Sequence, residues 1–488
     1  MLLQYTTVIL SIWCLLSGAL SGDTDHSLDA CSQIIQITSS STKVYYPGNP
    51  SYIKAISHWA NGTSTQLSKC VVEPTTAVDV GKILKLLGSN RTPFAVKGGG
   101  HGTNPGFSST PGVHISMRSF SSVTYKKSSQ TVDIGAGLLW DDVYAALHPH
   151  GVNVAGARAL GVGVSGFLLG GGYSWLSNQY GLSIDTIVAY ELVLPTGQVI
   201  QASKLSHPDL FFALKGGYNN FGIVTGFTMQ AFHQPQVWGG TIIIDGANEP
   251  IVATAVENFS NNVKDTKAGI NTLYNFSNGS ISIVQIIFYN GPLPPAGIFD
   301  ELLAIPSLSK NIKTSSFQAF MQAGGILETD SRALFHTVSP LKFSQTLLEV
   351  VRNETLFWGT YLASKSGTFV SYAIEPFDAK IYTHNKTATA YPADRSTPFY
   401  PYIIWFSWTD PSFDQEFYTA ARESSDRIRD AAFSDGQIDI LDAPLYPNIA
   451  LFDTPLEKMY GINVPRLHRI KTAVDPMNVM GLAGGFKL

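Results

Sequence analysis

The sequence predicts an α+β fold built from two large parts that pack tightly together. In residues 66–236, short apolar strands alternate with helices and glycine clusters interrupt the chain, while in residues 237–436 glycine is rarer and the strands are longer. The second pattern is typical of an antiparallel sheet covered by helices. Residues 437–488 carry a further apolar pattern, and no low-complexity linker separates the parts.

The composition favours a compact enzyme. Hydrophobic residues make up 44% of the 488 positions and charged residues only 14%, against about 25% charged residues in an average soluble chain. The net charge is −4 and no block of like charges occurs. A nucleic-acid partner or an anionic membrane surface is therefore not expected.

Residues 1–21 predict a secretory signal peptide. An apolar run is followed by Ala19 and Ser21 at the spacing of a cleavage site, and residues 22–65 would then form an N-terminal extension of a secreted, extracellular protein. The first residues lack Lys and Arg, which leaves a retained anchor as the alternative. The run is short of the ~20 residues that a bilayer needs, and no membrane contact is expected after cleavage.

Two further features agree with secretion. Removal of Cys14 leaves Cys31 and Cys70, which an oxidising compartment would join in a disulfide; two buried thiols are the alternative. Asn-x-Ser/Thr glycosylation sequons, expected in exposed turns, occur at Asn61, Asn90, Asn258, Asn275, Asn278, Asn353 and Asn385.

Individual elements follow from local patterns. "TTAVDVGKILKLLGSN" begins with a capping threonine and then spaces apolar residues as an amphipathic helix does. "SSVTYKKSSQTVDIGAG" and "IVAYELVLPTGQVIQAS" predict strands, the second containing a Pro-Thr-Gly turn. In "PYIIWFSWTD", Tyr402, Ile404, Phe406 and Trp408 share one strand face, which either belongs to the core or lines a substrate cavity.

Glycine-rich loops provide the main functional signal. "FAVKGGGHGTNPG" places five glycines around His101, and glycine lets the backbone come close to a ligand. "GVGVSGFLLGGGYSW" contains a G-x-G-x-x-G spacing, but Gly170–Gly172 fall where a Rossmann helix would run, so a nicotinamide cofactor is rejected. A third loop is "DLFFALKGGYNNFG". Together the loops favour an extended diphosphate cofactor on bare backbone amides.

These loops, in this order and with the ending "YGINVPRLHRIKTAVDPMNVMGLAGGFKL", resemble the vanillyl-alcohol oxidase and p-cresol methylhydroxylase (PCMH) flavoprotein family. The resemblance is closer to the berberine-bridge-enzyme-like branch and its secreted fungal FAD-linked oxidoreductases, and it covers nearly the whole mature chain. It implies a PCMH-type FAD-binding domain over residues 66–236, a substrate domain over 237–436, and a C-terminal segment, 437–488, that returns to the FAD domain.

The resemblance also implies site residues. His101 of "KGGGH" matches the family histidine that is bonded to the 8-methyl carbon of FAD, although a lone loop histidine is more often a hydrogen-bonded structural residue. Doubly linked members carry a cysteine where Ala159 stands, so a single covalent link is expected. The other expected cofactor contacts are Gly98, Gly99, Gly100, Gly102, Gly163, Gly166, Gly170, Gly171 and Ile223.

Tyr446 and Asn448 of "LYPNIA" match the Tyr-x-Asn that the family places beside the flavin. Tyr446 is expected to be a general base if its phenolate is stabilised, and otherwise an aromatic wall of the pocket. Asn448 would offer its amide to the flavin. His148 and His150 have no further ligands at suitable spacing, so no metal is expected.

The expected activity is that of a secreted, monomeric FAD-dependent oxidase. It would remove hydride from a small organic substrate, an alcohol, an amine or an activated C–H compound such as a secondary metabolite, and dioxygen would become hydrogen peroxide. The enzymatic alternatives are a dehydrogenase with another electron acceptor and a carbohydrate oxidase. The non-enzymatic alternative is a flavoglycoprotein that binds ligand without turnover.

Overall fold

The computed structural model describes residues 26–324, 331–385 and 387–488. The predicted signal peptide, residues 1–21, lies outside these ranges. Within the described ranges, no helix combines the length and the apolar character needed to cross a bilayer.

In the described residues, the first part of the chain contains two larger sheets and one two-stranded sheet. One has the order β1-β2-β4-β3, in which only β1 runs antiparallel to its neighbour. The other has the order β5-β6-β10-β8-β9 and is antiparallel throughout, while β7 pairs with β11. The strands are β1 (Lys43–Tyr45), β2 (Cys70–Glu73), β3 (Phe94–Lys97), β4 (Val113–Ser116), β5 (Val123–Lys126), β6 (Thr131–Gly135), β7 (Val152–Asn153), β8 (Ile187–Val193), β9 (Val199–Ser203), β10 (Ile223–Gln230) and β11 (Phe232–His233).

The α-helices that accompany these strands in the described ranges are α1 (His26–Ile37), α2 (Pro50–Ile56), α3 (Asn61–Ser64), α4 (Ala77–Ser89), α5 (Trp140–Leu147), α6 (Val164–Leu169), α7 (Ser177–Tyr180) and α8 (Pro208–Leu214). The predicted capped helix is confirmed as α4, because the Thr76 hydroxyl accepts a hydrogen bond from the Asp79 backbone N–H at 3.1 Å. The two predicted strand segments are confirmed as β5–β6 and the β8–β9 hairpin.

The second part is a seven-stranded antiparallel sheet with the order β15-β12-β14-β13-β17-β18-β16. Its strands are β12 (Val237–Asp245), β13 (Ala268–Ser277), β14 (Ser280–Tyr289), β15 (Ser309–Ser315), β16 (Arg332–Val338), β17 (Gly367–Ile374) and β18 (Tyr402–Trp408). Its helices are α9 (Glu249–Asn262), α10 (Asp300–Ala304), α11 (Phe317–Ala323), α12 (Gln345–Ala363) and α13 (Asp414–Ser434). Residues from α9, α12 and α13 form one apolar core with the sheet.

Strand β18 has a core face and a cavity face. Tyr402, Ile404, Phe406 and Trp408 are all buried in the core, where Trp408 stacks on Phe417 of α13 at 4.4 Å. The alternative that these rings line a cavity is therefore wrong. Because strand side chains alternate, the opposite face of β18 is the one that meets the cavity described below.

The C-terminal segment, with α14 (Leu456–Tyr460) and α15 (Val464–Val474), packs into the core of the first part. Ala483 forms a bridge with Phe94 at the start of β3, and the Asn219 side-chain amide donates to the Gly484 carbonyl at 3.1 Å. These contacts bring the chain's last residues beside the first glycine loop.

The predicted disulfide is confirmed, since Cys31 of α1 is bonded to Cys70 of β2. Asn61, Asn258 and Asn353 lie in helices α3, α9 and α12 rather than in the expected turns, and Asn275 departs further. Asn275 lies inside β13, is only 9% exposed, and its side-chain oxygen accepts a hydrogen bond from Ser371 at 2.7 Å. A pairing position in a covered strand leaves no room for a glycan, so the expectation for Asn275 is wrong.

Candidate active site

A cavity of about 500 Å³ lies between the two parts. The first glycine loop and residues 157–167 form one side, and the sheet of the second part forms the opposite side. Residues 446–450 and 485–486 of the C-terminal segment complete the wall. Ile223 and Ala159 also line the cavity, as do Ile403 and Trp405 on the second face of β18.

His101 lies in this cavity within an aromatic cluster. Its ring stacks on Trp59 at 4.7 Å, and Trp59 in turn contacts Phe335 at 5.3 Å and Trp405 at 5.4 Å between ring centroids. Burial lowers the pKa of His101 to about 4. The imidazole is therefore neutral at physiological pH, which is the form that acts as a nucleophile.

The cavity glycines have two kinds of role. A Cβ built on Gly99 would lie 2.4 Å from the Cα of Gly163, and one on Gly98 would lie 2.1 Å from the Ser165 hydroxyl, so these glycines allow the two loops to pack together. At Gly102 and Gly166 an added Cβ would meet no atom within 4 Å. Gly102 and Gly166 therefore leave space along the cavity wall. Gly100 also lines the cavity and has φ of +79°, a backbone conformation that favours glycine.

Gly170 and Gly171 lie behind the cavity wall, contrary to the expected cofactor contacts. A Cβ on Gly170 would lie 2.1 Å from the Asn448 side-chain oxygen, and one on Gly171 would lie 3.2 Å from the Tyr446 ring. A helix does follow Gly163, but α6 has six residues and ends at Leu169, with Gly170 as its C-cap. The segment therefore lacks the long helix of a Rossmann unit and instead supports the Tyr-x-Asn turn.

Tyr446 and Asn448 meet at the cavity wall. The Asn448 amide donates to the Tyr446 hydroxyl oxygen at 2.7 Å and to the Phe167 carbonyl at 3.0 Å. The Gly172 backbone N–H donates to the same Tyr446 oxygen at 3.1 Å. Burial raises the pKa of Tyr446 to about 12, although the two donors and the nearby Arg158 act in the opposite direction. Both amide hydrogens of Asn448 are used within the protein, so the expectation that Asn448 offers its amide to the flavin is wrong, and Asn448 instead positions Tyr446.

The sequence reasoning missed a buried ion pair in the cavity. Arg158, next to Ala159, binds the Glu375 carboxylate, and its Nε donates to the Tyr173 carbonyl at 3.1 Å. Asn271 donates to the other Glu375 oxygen at 3.1 Å. Burial raises the pKa of Glu375, whereas Arg158 lowers it. The only available signal was a glutamate directly after the apolar strand β17.

His148 and His150 are both exposed, in the turn after α5. Across the described ranges, no group of three or more His, Cys, Asp or Glu side chains has an arrangement that could hold a metal ion.

The cavity residues fit an FAD cofactor. Gly102 and Gly166 leave space along the cavity wall that any larger side chain would occupy. Gly99 and Gly163 allow the two glycine loops to stay in contact, and the neutral His101 lies among these residues. An elongated group with a planar ring can lie along such a surface, with its phosphates against backbone N–H groups.

Comparisons with known sequences agree with this fit. Residues 68–203 match the family model described as an FAD binding domain, and residues 445–483 match the model described as "Berberine and berberine like". An FAD-linked oxidoreductase of Arthroderma benhamiae is 30% identical over 88% of this chain and 89% of its own length. An FAD-dependent monooxygenase of Emericella nidulans is 29% identical over 92% of this chain and 97% of its own length.

Solved structures share the fold. A berberine-bridge-like enzyme of Physcomitrella patens superposes with a TM-score of 0.76 at 19% identity, covering 93% of this chain and 97% of that one. 6-Hydroxy-D-nicotine oxidase of Arthrobacter nicotinovorans superposes with a TM-score of 0.72 at 20% identity, covering 92% and 98%. A chitooligosaccharide oxidase gives 0.72 at 18% identity, covering 95% and 100%. The chain thus belongs to the FAD-linked oxidoreductases, with a C-terminal segment of the berberine-like type.

Proposed function

We propose that this FAD-linked oxidoreductase is a secreted, monomeric oxidase that removes a hydride and a proton from a small organic substrate. The observation that carries the proposal is the placement of Tyr446 and His101 in one cavity. The Tyr446 oxygen accepts hydrogen bonds from Asn448 and Gly172, which stabilise negative charge on that oxygen. The secreted location rests on the predicted signal peptide, with support from the disulfide between Cys31 and Cys70.

His101 would hold FAD by a single covalent bond. Its neutral imidazole is the only proposed attachment point, because the cysteines in the described ranges form a disulfide and Ala159 stands where a second link would need a thiol. Gly98, Gly99, Gly100, Gly102, Gly163, Gly166 and Ile223 would line the cofactor site. Bound FAD supplies the hydride acceptor and returns the electrons to dioxygen, which leaves as hydrogen peroxide.

Tyr446 would take the proton that the substrate loses with its hydride. Among the described residues, two N–H groups donate to its oxygen and no side chain or carbonyl accepts its hydroxyl proton. The same donors stabilise the phenolate, and the positive charge of Arg158 adds to this effect. With the pKa at about 12, the phenolate fraction grows with pH across the neutral and mildly alkaline range.

Several similar proteins are FAD-dependent monooxygenases, which makes oxygen insertion the second candidate. The two reactions differ in their product: oxidation yields a compound lighter by two hydrogens together with peroxide, whereas monooxygenation yields one heavier by an oxygen. A panel of alcohols, amines and phenols, assayed by peroxide release and product mass spectrometry, separates them. Peroxide in equal amount to an oxidised product supports the oxidase.

The electron acceptor needs its own experiment. The holoenzyme is reduced anaerobically with dithionite and mixed with air-saturated buffer in a stopped-flow instrument. Rapid reoxidation with peroxide release supports the oxidase. Slow reoxidation by dioxygen, combined with rapid reoxidation by a quinone, would instead assign a dehydrogenase.

A further inference from the structure

The outer face of α12 exposes three large apolar side chains. Leu356, Phe357 and Tyr361 have 43%, 58% and 41% of their surface exposed. Phe357 and Tyr361 are four positions apart, and their rings lie with centroids 6.3 Å apart and planes 3° from parallel. Neighbouring exposed apolar side chains of this kind mark a surface that a partner covers.

A groove of about 330 Å³ runs from these rings to α13. Phe357, Trp358 and Tyr361 form its α12 side. The α13 side is mainly polar and consists of Gln415, Glu416, Thr419, Ala420 and Glu423. The groove therefore combines aromatic rings with hydrogen-bond acceptors. This combination suits a sugar ring, which has an apolar C–H face and hydroxyl groups around its edge.

Asn353 lies at one end of this groove. It is exposed and stands one turn before Phe357 on α12, so the two side chains are neighbours. Because helical side chains lean toward the N-terminus of their helix, the Phe357 ring lies over the turn that contains Asn353. Glu354 accepts a hydrogen bond from Ser424 of α13 at 2.8 Å, which brings the groove residue Glu423 to the same end.

The side-chain nitrogen of Asn353 is available for a glycan. The Asn353 oxygen accepts from Arg352 at 3.3 Å, but no described residue accepts a hydrogen bond from the nitrogen. At Asn258, by contrast, the side-chain nitrogen donates to Glu301 at 2.8 Å. The sequon that begins at Asn353 therefore presents its reactive atom to solvent, although it lies in a helix.

We propose that Asn353 carries an N-linked glycan whose first N-acetylglucosamine lies on Phe357 and Tyr361 and covers this face of α12. The apolar face of the sugar would contact the rings, and its polar groups would bond to side chains of α13. The inference goes beyond the proposed reaction but rests on the proposed secreted location, because N-linked glycans are added in the secretory pathway. The covered face would be kept from associating with other apolar surfaces.

The test uses the full-length holoenzyme secreted from a yeast host. Peptide mass spectrometry reports whether Asn353 is modified, and hydroxyl-radical footprinting reports the solvent access of Phe357 and Tyr361. An endoglycosidase that leaves one N-acetylglucosamine should keep both side chains protected. Complete removal of the glycan by peptide-N-glycosidase should at least double their oxidation. Tyr46, which is 38% exposed in the first part of the chain, serves as the internal reference and should not change.

Variants assign the protection to one glycan. Asn353→Gln should at least double the oxidation of Phe357 without any enzyme treatment. The matched control Asn258→Gln removes a sequon from α9 and should leave Phe357 as protected as in the parent. Near-ultraviolet circular dichroism and flavin content check that each variant folds. Equal oxidation of Phe357 in Asn353→Gln and the parent would overturn the proposal.

The outcomes separate this proposal from the proposed secreted location. Glycans at other sequons with Asn353 unmodified would reject the glycan on α12 and leave the secreted location standing. A protein that stays inside the cells with every sequon unmodified would reject both. If Phe357 is equally protected before and after complete deglycosylation, and ultracentrifugation shows a dimer that Phe357→Ser dissociates, a second copy of the chain covers the patch and the proposal is wrong.

Discussion

The side-chain amide of Asn448 donates a hydrogen bond to the hydroxyl oxygen of Tyr446 at 2.7 Å. Tyr218 fixes this amide by donating to the Asn448 oxygen, and Gly172 supplies a second donor to Tyr446 at 3.1 Å. The Tyr446 oxygen thus faces two N–H groups. Such an arrangement stabilises the phenolate relative to the phenol, against the opposing effect of burial.

Tyr446→Phe should slow flavin reduction by substrate by about 10²–10⁴-fold, the usual contribution of a general base, with little change in substrate affinity. In the parent enzyme the rate should rise with pH, since the phenolate fraction grows toward the pKa of about 12. In the variant this rise should disappear. Stopped-flow absorbance of the flavin under anaerobic conditions measures both effects.

Tyr391→Phe is the matched control for Tyr446. The Tyr391 ring lies 5.8 Å from Tyr446, but its hydroxyl bonds to Tyr173, and Tyr391 is not part of the cavity wall. Its substitution should leave the rate and the pH profile unchanged. Parent-like reduction kinetics of Tyr446→Phe across pH would remove Tyr446 from the mechanism and leave it as an aromatic wall.

His101→Ala should lose the covalent bond to FAD. The imidazole is neutral above about pH 5, because burial holds its pKa at about 4, and no other nucleophile is proposed for the attachment. After acid precipitation, the parent protein should keep the yellow flavin in the pellet and the variant should release it. His148→Ala, at an exposed position, serves as the control and should behave like the parent. Flavin released from the parent protein would refute the covalent link.

Gly166→Ala and Gly99→Ala should distinguish a glycine that leaves space for the cofactor from a glycine that allows two loops to pack together. A Cβ at Gly166 meets nothing within 4 Å, so alanine in α6 should stabilise the apoprotein by about 0.5–1 kcal/mol while lowering FAD content. At Gly99 the Cβ would lie 2.4 Å from Gly163, and we expect destabilisation of about 1–3 kcal/mol. Urea unfolding of the apoprotein and flavin absorbance measure the two effects. Full FAD loading of Gly166→Ala would contradict the cofactor role of this glycine.

Local signals explain what the sequence predicted correctly. Helix α4 could be predicted because its N-cap, Thr76, and its apolar residues lie within a few positions of one another. The β8–β9 hairpin could be predicted because a single turn separates two apolar strands. The glycine loops could be identified as a cofactor surface because clustered glycines, which let a ligand approach the backbone closely, are visible directly in the sequence. Resemblance then added the roles of His101 and Tyr446, which chemistry alone left ambiguous.

Long-range contacts explain what the sequence reasoning missed. Arg158 and Glu375 are 217 positions apart, and their pairing depends on how the first part docks on the sheet. Periodicity divided β18 into two faces but could not show which face meets the cavity. Gly170 and Gly171 looked like cofactor contacts because sequence does not reveal that the Tyr446 turn folds back over them.

Buried histidines should make the protein sensitive to mild acid. Burial is the main cause that lowers the pKa of His58 to about 4, of His114 to about 3 and of His336 to about 4. The pKa of an ordinary histidine is about 6.5, so between pH 6.5 and 4 the unfolded chain binds more protons than the folded one. The free energy of unfolding should therefore fall as pH drops below about 6.5, by up to about 1.4 kcal/mol per pH unit for each histidine.

His114→Leu isolates one of these contributions. His114 is fully buried in β4, so the variant should lose stability less steeply with acid than the parent, by up to about 1.4 kcal/mol per pH unit between pH 6 and 4.5. Urea unfolding at several pH values gives the slope of the free energy of unfolding against pH. Only the difference in slope between the variant and the parent is interpreted, because carboxylates contribute equally to both proteins. The control His150→Leu, at an exposed turn position, should show the same pH dependence of the free energy of unfolding as the parent. Parallel curves for His114→Leu and the parent would mean that His114 is protonated as readily in the folded protein as in the unfolded chain.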